Sequence, residues 1–286
     1  MLHLILSILF STSLFAIFKY FGIYKVNTLQ AIVVNYIVAF FLGMLSANTI
    51  GAIGTISSQP WFLGAVVLGL LFVTVFFVMA KTAQYNGVSV ASIAGKMSVV
   101  VPIVFGIILY KESVTFFKVV GIITALVAVY LSSAKDTKSN SKGSFLFPVL
   151  LFLGSGVIDT TLKYVETNYV SHSDVDFFSG SLFGFAAFFG LIILTIKYFV
   201  TKEKLELKSI IAGVVLGIPN YYSIVFLVKA LQNKNFESSD LFTINNVGIV
   251  VVSTLLGLLL FKESFSTKNK IGVILAIVGI ILVTIA

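Results

Sequence analysis

The chain contains no cysteine and no arginine, and charged residues make up only 10% of its 286 residues. Without cysteine it has no disulfide, no thiolate nucleophile and no sulfur ligand for a metal. Its two histidines, His3 and His172, show no metal-ligand spacing, so we expect neither a metal nor a cofactor. Because a soluble domain carries about 25% charged residues, this chain cannot cover itself with a hydrated surface.

Apolar residues make up 58% of the chain, and the mean hydropathy is +1.09. This composition predicts that the protein is embedded in a lipid bilayer. The net charge is +8, and all of the basic residues are lysines spread over loops without a dense basic run. We interpret these lysines as determinants of membrane topology and as contacts for lipid headgroups, and we expect no nucleic-acid partner. The expected partners are the lipid bilayer and a small-molecule substrate, for a monomer or a homodimer.

A helix that crosses a bilayer needs about 20 mainly apolar residues. Ten stretches meet this requirement: 2–22, 28–46, 60–81, 88–110, 115–133, 145–166, 175–198, 209–231, 239–261 and 269–286. The one linker, 135–144, is rich in Lys, Ser and Asn and divides the chain into 1–134 and 145–286, with five spans each. The sequence therefore predicts an all-α integral membrane protein with ten transmembrane helices.

The two five-span segments repeat each other. Residues 66–69 (VVLG) recur as 214–217 at an offset of 148, and residues 111–113 (KES) recur as 262–264 at an offset of 151. Weaker matches place Phe18-Lys19-Tyr20 on Leu162-Lys163-Tyr164 and Gly43 on Gly190. Because five is odd, a second copy must enter the membrane from the opposite side, so we predict two inverted five-helix repeats.

Each fourth helix of a half runs to a glycine and then to Lys-Glu, and each fifth helix begins with a lysine followed by a glycine. The residues are Gly106…Lys111-Glu112 with Lys118…Gly121, and Gly257…Lys262-Glu263 with Lys268…Gly272. With ten spans in two similar halves, this pattern resembles the EamA type of the drug/metabolite transporter superfamily. The resemblance implies a secondary carrier or facilitator of amino acids, metabolites or drugs in a bacterial inner membrane. It also implies cytoplasmic termini, whereas the lysine excess after odd-numbered helices predicts that both termini lie outside.

Two charges fall at membrane depth, Lys96 in the fourth span and Asp159 in the sixth. A central charge costs at least about 2.5–3.5 kcal/mol on insertion scales, so such residues are candidates for function. Lys96 aligns with Val247 and Asp159 with Phe15, so the duplicated scaffold requires neither charge. We predict that both bind substrate, as a pair or separately facing a cavity. Asp159 is also the candidate for proton coupling; the alternative is silent pairing or snorkelling.

The eighth span contains Pro219-Asn220-Tyr221-Tyr222, whose counterpart 71–74 is almost wholly apolar. Pro219 removes a backbone donor, so we assign it a structural role in a kink. Asn220, Tyr221 and Tyr222 are predicted to line the substrate site, although a purely structural kink is the alternative. Asn246, beside Asn245 in the ninth span, is a further candidate, for which helix contact is the alternative.

Glu112 and Glu263 each follow a helix in a short turn, and we predict structural roles for both in capping and turn formation. The sequence shows no zinc-protease helix motif, no phosphate-binding glycine loop and no serine nucleophile with a positioned histidine. We therefore predict a transporter and not an enzyme. A membrane receptor or partner subunit, and a lipid-modifying intramembrane enzyme, are the alternatives.

Overall fold

A computed structural model describes residues 1–46, 49–109, 111, 114–133, 145–171, 174–231 and 238–284. Within these ranges the chain is helical and contains no β-strand. A 3-10 helix covers Ile50–Ser58, in a segment for which we predicted no helix. The α-helices are α1 (Leu2–Ile23), α2 (Thr28–Ser46), α3 (Phe62–Tyr85), α4 (Val88–Met97), α5 (Val100–Leu109), α6 (Phe116–Ser133), α7 (Leu146–Tyr169), α8 (Val175–Thr201), α9 (Leu207–Leu231), α10 (Ser238–Leu259) and α11 (Thr267–Thr284).

Ten helical segments of the described chain are long and apolar enough to cross a membrane, which confirms the predicted fold class. The helix ends lie within a few residues of the predicted ones. The largest extension is in α3, which continues to Tyr85, four residues beyond the predicted end of the third span. The fourth span, Val88–Ile108, differs from the prediction because it consists of two helices, α4 and α5.

The interruption of the fourth span lies at Ser98 and Val99, between α4 and α5. Pro102 is the cause, because it lacks the N–H that would donate to the Ser98 carbonyl in a continuous helix. The N–H of Val101 donates to that carbonyl instead, at 2.9 Å, which tightens the chain locally. Gly156 of α7 lies against the break: a Cβ there would be 3.0 Å from the Ser98 carbonyl oxygen.

The chain folds into two compact units, and each draws on both sequence halves. The first unit comprises Met1–Tyr20, Val78–Val157 and Tyr222–Ala286; the second comprises Phe21–Phe77 and Ile158–Tyr221. Helices α1, α3, α7 and α9 each have one part in either unit. The predicted division into 1–134 and 145–286 concerns an ancestral duplication and stays a prediction, and its linker 135–144 lies outside the described residues.

In the first unit α6 packs against α11, and α4 packs against α10, around a buried apolar cluster. A Cβ on Gly121 would lie 2.6 Å from a methyl group of Val283, and a Cβ on Gly272 would lie 2.6 Å from the backbone nitrogen of Ser132. At the repeat offset of 151, Gly121 aligns with Gly272 and Ser132 with Val283. The contact of Gly121 with α11 is therefore equivalent to the contact of Gly272 with α6.

In the second unit α2 and α8 show the same exchange. A Cβ on Gly43 would lie 3.3 Å from the Cα of Gly180, and a Cβ on Gly190 would lie 2.6 Å from a methyl group of Val33. The offset of 147 that places Gly43 on Gly190 also places Val33 on Gly180. The contact of α2 with α8 is therefore reciprocal in the same way as the contact of α6 with α11.

The lysine that opens the duplicated Lys-Glu-Ser segment has the same φ in both copies. Lys111 has φ 52° and Lys262 has φ 50°, both in the left-handed region that non-glycine residues seldom adopt. Glu112, for which we predicted a structural role, lies outside the described residues.

Candidate functional site

Two glycines bring α9 close to α2 in the second unit. A Cβ on Gly213 would lie 2.6 Å from the carbonyl oxygen of Ala31, and one on Gly217 would lie 2.9 Å from that of Asn35. This is the close backbone approach that small residues four apart allow between membrane helices. One turn further along α9 the approach brings Asn220 to Asn35, and the Nδ2 of Asn220 donates to the Oδ1 of Asn35 at 3.1 Å.

Asn220 is thus buried in a helix contact, with its amide engaged by α2. The repeat places Phe72 and Leu182 at the positions equivalent to Asn220 and Asn35, so the polar pair has an apolar counterpart. Tyr221 is half-buried, and its ring lies 3.8 Å from the position of a Cβ on Gly43. Pro219 lies inside α9, which continues as a helix on both sides of it. The substrate roles predicted for Asn220 and Tyr221 stay predictions.

Lys96 lies in the last turn of α4 and is half-buried. A cation there is favoured by the partial negative charge at the C-terminal end of the helix. The helix is interrupted two residues later, at Ser98, so Lys96 lies directly before the interruption of the fourth span. Interrupted helices of this kind place backbone dipoles at the binding sites of many transporters.

Asp159 lies on α7 with an exposed side chain, three residues after Gly156 and on the same helix face. It belongs to the second unit, whereas Lys96 belongs to the first. Pairing between these two residues therefore stays a prediction. Asn246 is half-buried on α10, in the first unit.

Tyr222 belongs to an aromatic patch formed by α1 and α9 within the first unit. Phe226 is its centre, with ring centroids 5.5 Å from Phe10, 5.9 Å from Tyr222 and 6.1 Å from His3. The rings of Phe10 and Tyr222 are 6.1 Å apart. Tyr222 is 36% exposed, so part of this patch lies at the surface of the described chain. We call His3, Phe10, Tyr222 and Phe226 the aromatic patch.

A buried polar cluster lies beside the aromatic patch and involves Ser7, which we did not predict. The Ser7 hydroxyl lies 3.0 Å from the Oδ1 of Asn245 and 3.2 Å from the carbonyl oxygen of Ser223. Asn245 was considered with Asn246, but adjacent residues on a helix point in different directions, and the structure buries Asn245 more deeply. The repeat contains a signal that could have found the cluster, because the equivalents of all three residues are apolar.

The Glu263 carboxylate accepts a hydrogen bond from the backbone N–H of Val88 at 2.8 Å, at the N-terminal end of α4. The Ser89 hydroxyl donates to its other oxygen at 3.4 Å, and the Lys19 ammonium lies 3.5 Å away. A Cβ on Gly257 would lie 2.5 Å from the carboxylate, and one on Gly87 would lie 2.8 Å from it. The two glycines leave the space that the carboxylate occupies.

A polar pocket of about 380 Å³ lies in the second unit, where α1 ends and α9 begins. Asn27 donates to Glu203 at 3.1 Å, and the buried Gln30 side chain accepts from the N–H of Glu206 and donates to the Lys204 carbonyl. A hydrogen bond from the Lys197 ammonium holds the pKa of Glu203 below its usual value. None of the predicted site residues lines this pocket.

The described residues contain no group of three or more His, Cys, Asp and Glu side chains that could hold a metal ion. The polar groups of the predicted and observed clusters are mainly amides, hydroxyls and aromatic rings. Such groups recognise hydroxyl-bearing and amide-bearing solutes through hydrogen bonds, and Lys96 and Asp159 are the charged residues among the candidates.

No family model matches the chain. It is 28% identical over 288 residues to an uncharacterized protein of Haemophilus influenzae, covering 97% of this chain and 96% of that protein. It is 25% identical to a probable glucose uptake protein of Bacillus anthracis, covering 89% and 85%. A putative sugar uptake protein of Lactobacillus johnsonii is 30% identical over 171 residues, covering 57% of this chain and 54% of that protein.

A crystal structure of another protein superposes with a TM-score of 0.63, at 15% sequence identity, over 99% of this chain and 96% of that chain. This likeness shows a shared fold over the full length. The ten apolar helices and the relatives named for uptake together indicate the class of protein. The chain is a multi-pass membrane protein.

Proposed function

We propose that the protein is a secondary transporter that takes up a small neutral sugar or a similar polyol. The observation that carries the proposal is the likeness, over most of both chains, to proteins named for glucose uptake. Amide, hydroxyl and aromatic groups outnumber the charged Lys96 and Asp159 in the candidate sites, and such groups suit a neutral, hydroxyl-rich solute. This narrows the solute classes that the EamA resemblance implies.

Two inverted five-helix repeats are part of this proposal. The reciprocal contacts of α6 with α11 and of α2 with α8 support a two-fold relation between the halves. A scaffold that works in both orientations can expose one site alternately to each side of the membrane. We place the protein in a bacterial inner membrane, in agreement with its bacterial relatives.

Counterflow tests the proposal directly. Purified protein in liposomes preloaded with unlabelled glucose is expected to accumulate radiolabelled glucose transiently and saturably, because a carrier exchanges solute across the bilayer without net flux. Empty liposomes are the control. A receptor would bind glucose without exchange, and an enzyme would release a modified product. Absence of exchange for glucose and for a panel of other sugars and polyols would reject the sugar assignment.

Asp159→Asn is expected to abolish sugar accumulation driven by an imposed proton gradient while counterflow continues. Asp159 is the only acidic residue deep in a predicted span, so its carboxylate is the group we assign to proton coupling. Accumulation in proteoliposomes under an imposed pH gradient measures the effect. Glu166→Gln, seven residues later on the same helix, is the matched control and should retain accumulation. Gradient-driven uptake that survives in Asp159→Asn removes this role from Asp159.

A further inference from the structure

The cluster of Ser7, Ser223 and Asn245 joins three helices of the first unit, α1, α9 and α10. Ser7 is 0% exposed and Asn245 is 2% exposed, so the cluster is fully buried within the described chain. The single proton of the Ser7 hydroxyl serves the Asn245 Oδ1 or the Ser223 carbonyl, at 3.0 Å and 3.2 Å. Two acceptors compete for this proton, so the cluster has more hydrogen-bonding capacity than its own members use.

The scaffold does not need this polarity. At the offsets of the repeat, Ser7 aligns with Leu151, Ser223 with Val75 and Asn245 with Ala94, and all three counterparts are apolar. The equivalent positions of the other half therefore carry no polar side chain. Interhelical hydrogen bonds in membranes contribute only about 0.6 kcal/mol on average. Stabilisation of the helix contact therefore gives little reason for polar residues at these three positions.

The side-chain amide of Asn245 has spare donors. Its Oδ1 accepts from Ser7, and in the described part of the chain its Nδ2 donates no hydrogen bond. An amide nitrogen carries two N–H donors, so Asn245 has hydrogen-bonding capacity beyond its contact with Ser7. A ligand that brings an acceptor oxygen to this point would use those donors.

The aromatic patch lies one helical turn along α1 from Ser7, whose hydroxyl contacts the Asn245 amide oxygen. Phe10 follows Ser7 by three residues on α1, and Tyr222 directly precedes Ser223 on α9. The rings of Phe10 and Phe226 are nearly parallel, with 18° between their planes. The patch therefore offers stacked aromatic rings, with Tyr222 partly exposed, on the two helices that also carry Ser7 and Ser223.

A sugar ring has an apolar face of C–H groups and a rim of hydroxyls. Aromatic ring faces complement the first, because their negative quadrupole attracts the C–H edge, and an amide donor complements the second. On the basis of the proposed sugar uptake, we propose that Asn245 and the aromatic patch form the recognition element for the sugar. Asn245 donates to one sugar hydroxyl, and Tyr222 and Phe10 hold the ring face.

Competition by monodeoxyglucoses in glucose counterflow tests the assignment. A site that hydrogen-bonds a hydroxyl rejects the analogue that lacks it, so the unaltered protein is expected to bind one deoxy isomer at least about tenfold more weakly than glucose. Asn245→Ala should lose discrimination against that isomer alone. Ser7 retains the Ser223 carbonyl as an acceptor in this variant, so the fold is preserved, which a thermal melt in detergent checks.

Asn269→Ala is the matched control, because the Asn269 amide donates to the Ser132 carbonyl at 2.7 Å and serves a helix contact. It should lower thermal stability and leave the ranking of the deoxy sugars unchanged. Tyr222→Leu removes the aromatic ring from the patch and should raise the KM for glucose by about tenfold.

The outcomes separate the two proposals. If the unaltered protein exchanges no sugar, the proposed function fails. If it exchanges glucose but Asn245→Ala keeps the full ranking of deoxy isomers, sugar transport stands and the recognition role of Asn245 is overturned. An unchanged KM in Tyr222→Leu overturns the role of the aromatic patch in the same way.

Discussion

Gly272→Ala is expected to destabilise the protein severely. The new Cβ would lie 2.6 Å from the backbone nitrogen of Ser132 and 3.0 Å from its Cα, and backbone atoms of a packed helix cannot move aside as a flexible side chain can. Overpacking costs about 1–3 kcal/mol and occasionally more, and a clash with backbone belongs at the upper end. Thermal unfolding in detergent, followed by size-exclusion chromatography, measures the loss of stability.

Gly95→Ala is the matched control for that variant. A Cβ at Gly95 meets no atom within 4 Å, and the residue lies inside α4. Alanine is favoured over glycine inside a helix by about 1 kcal/mol, so this variant should be as stable as the unaltered protein or more stable. Equal melting temperatures for Gly272→Ala and Gly95→Ala would contradict the close packing of α6 on α11.

Glu263→Ala is expected to lower the free energy of unfolding by about 2–3 kcal/mol, since it removes a helix cap and leaves the Lys19 ammonium with less compensation. The carboxylate accepts the Val88 N–H at 2.8 Å and lies 3.5 Å from the lysine nitrogen. Both side chains are mostly buried, at 13% and 21% exposed, so solvent screens the pair only in part. Thermal unfolding in detergent gives the change.

Glu263→Gln separates the two contributions. The amide oxygen can still accept from Val88, so only the ion pair with Lys19 is lost, and the expected cost is about 1 kcal/mol. In a double-mutant cycle, Lys19→Met should then add little to Glu263→Gln. A Glu263→Ala protein as stable as Glu263→Gln would show that the cap on α4 contributes nothing. The structural role predicted for Glu263 rests on this comparison.

The position of a proline in a span does not by itself predict where the helix is interrupted. Pro219 falls in the middle of an apolar span, for which we predicted a kink, yet α9 continues through it. The interruption lies at Ser98 and Val99, before Pro102, which we did not single out. A proline in the first turn of a helix is tolerated because that N–H has no partner in any case, so the chain adjusts by starting a new helix there.

The polar residues show the same limit. Asn245 and Asn246 are equivalent by hydropathy, and only the rotation of α10 decides that Asn245 contacts Ser7. Asn220 was predicted to line a site, but the approach of α2 at Gly213 and Gly217 gives its amide a partner in Asn35. Comparison of the two halves did mark Asn220 as a departure from the common frame, because its repeat equivalent is apolar, and the same comparison would have marked Asn245.

The sequence by itself determined the ten spans, the membrane class and the internal repeat. These follow from hydropathy summed along short segments and from the thickness of the bilayer, which are local properties of the chain. Only the tertiary structure decided the break before Pro102, the partners of Glu263 and Asn220, and the cluster of Ser7 with Asn245. Such pairings depend on how each helix is rotated and in which register it meets its neighbours, and residues as far apart as Ser7 and Asn245 meet only after the whole chain has packed.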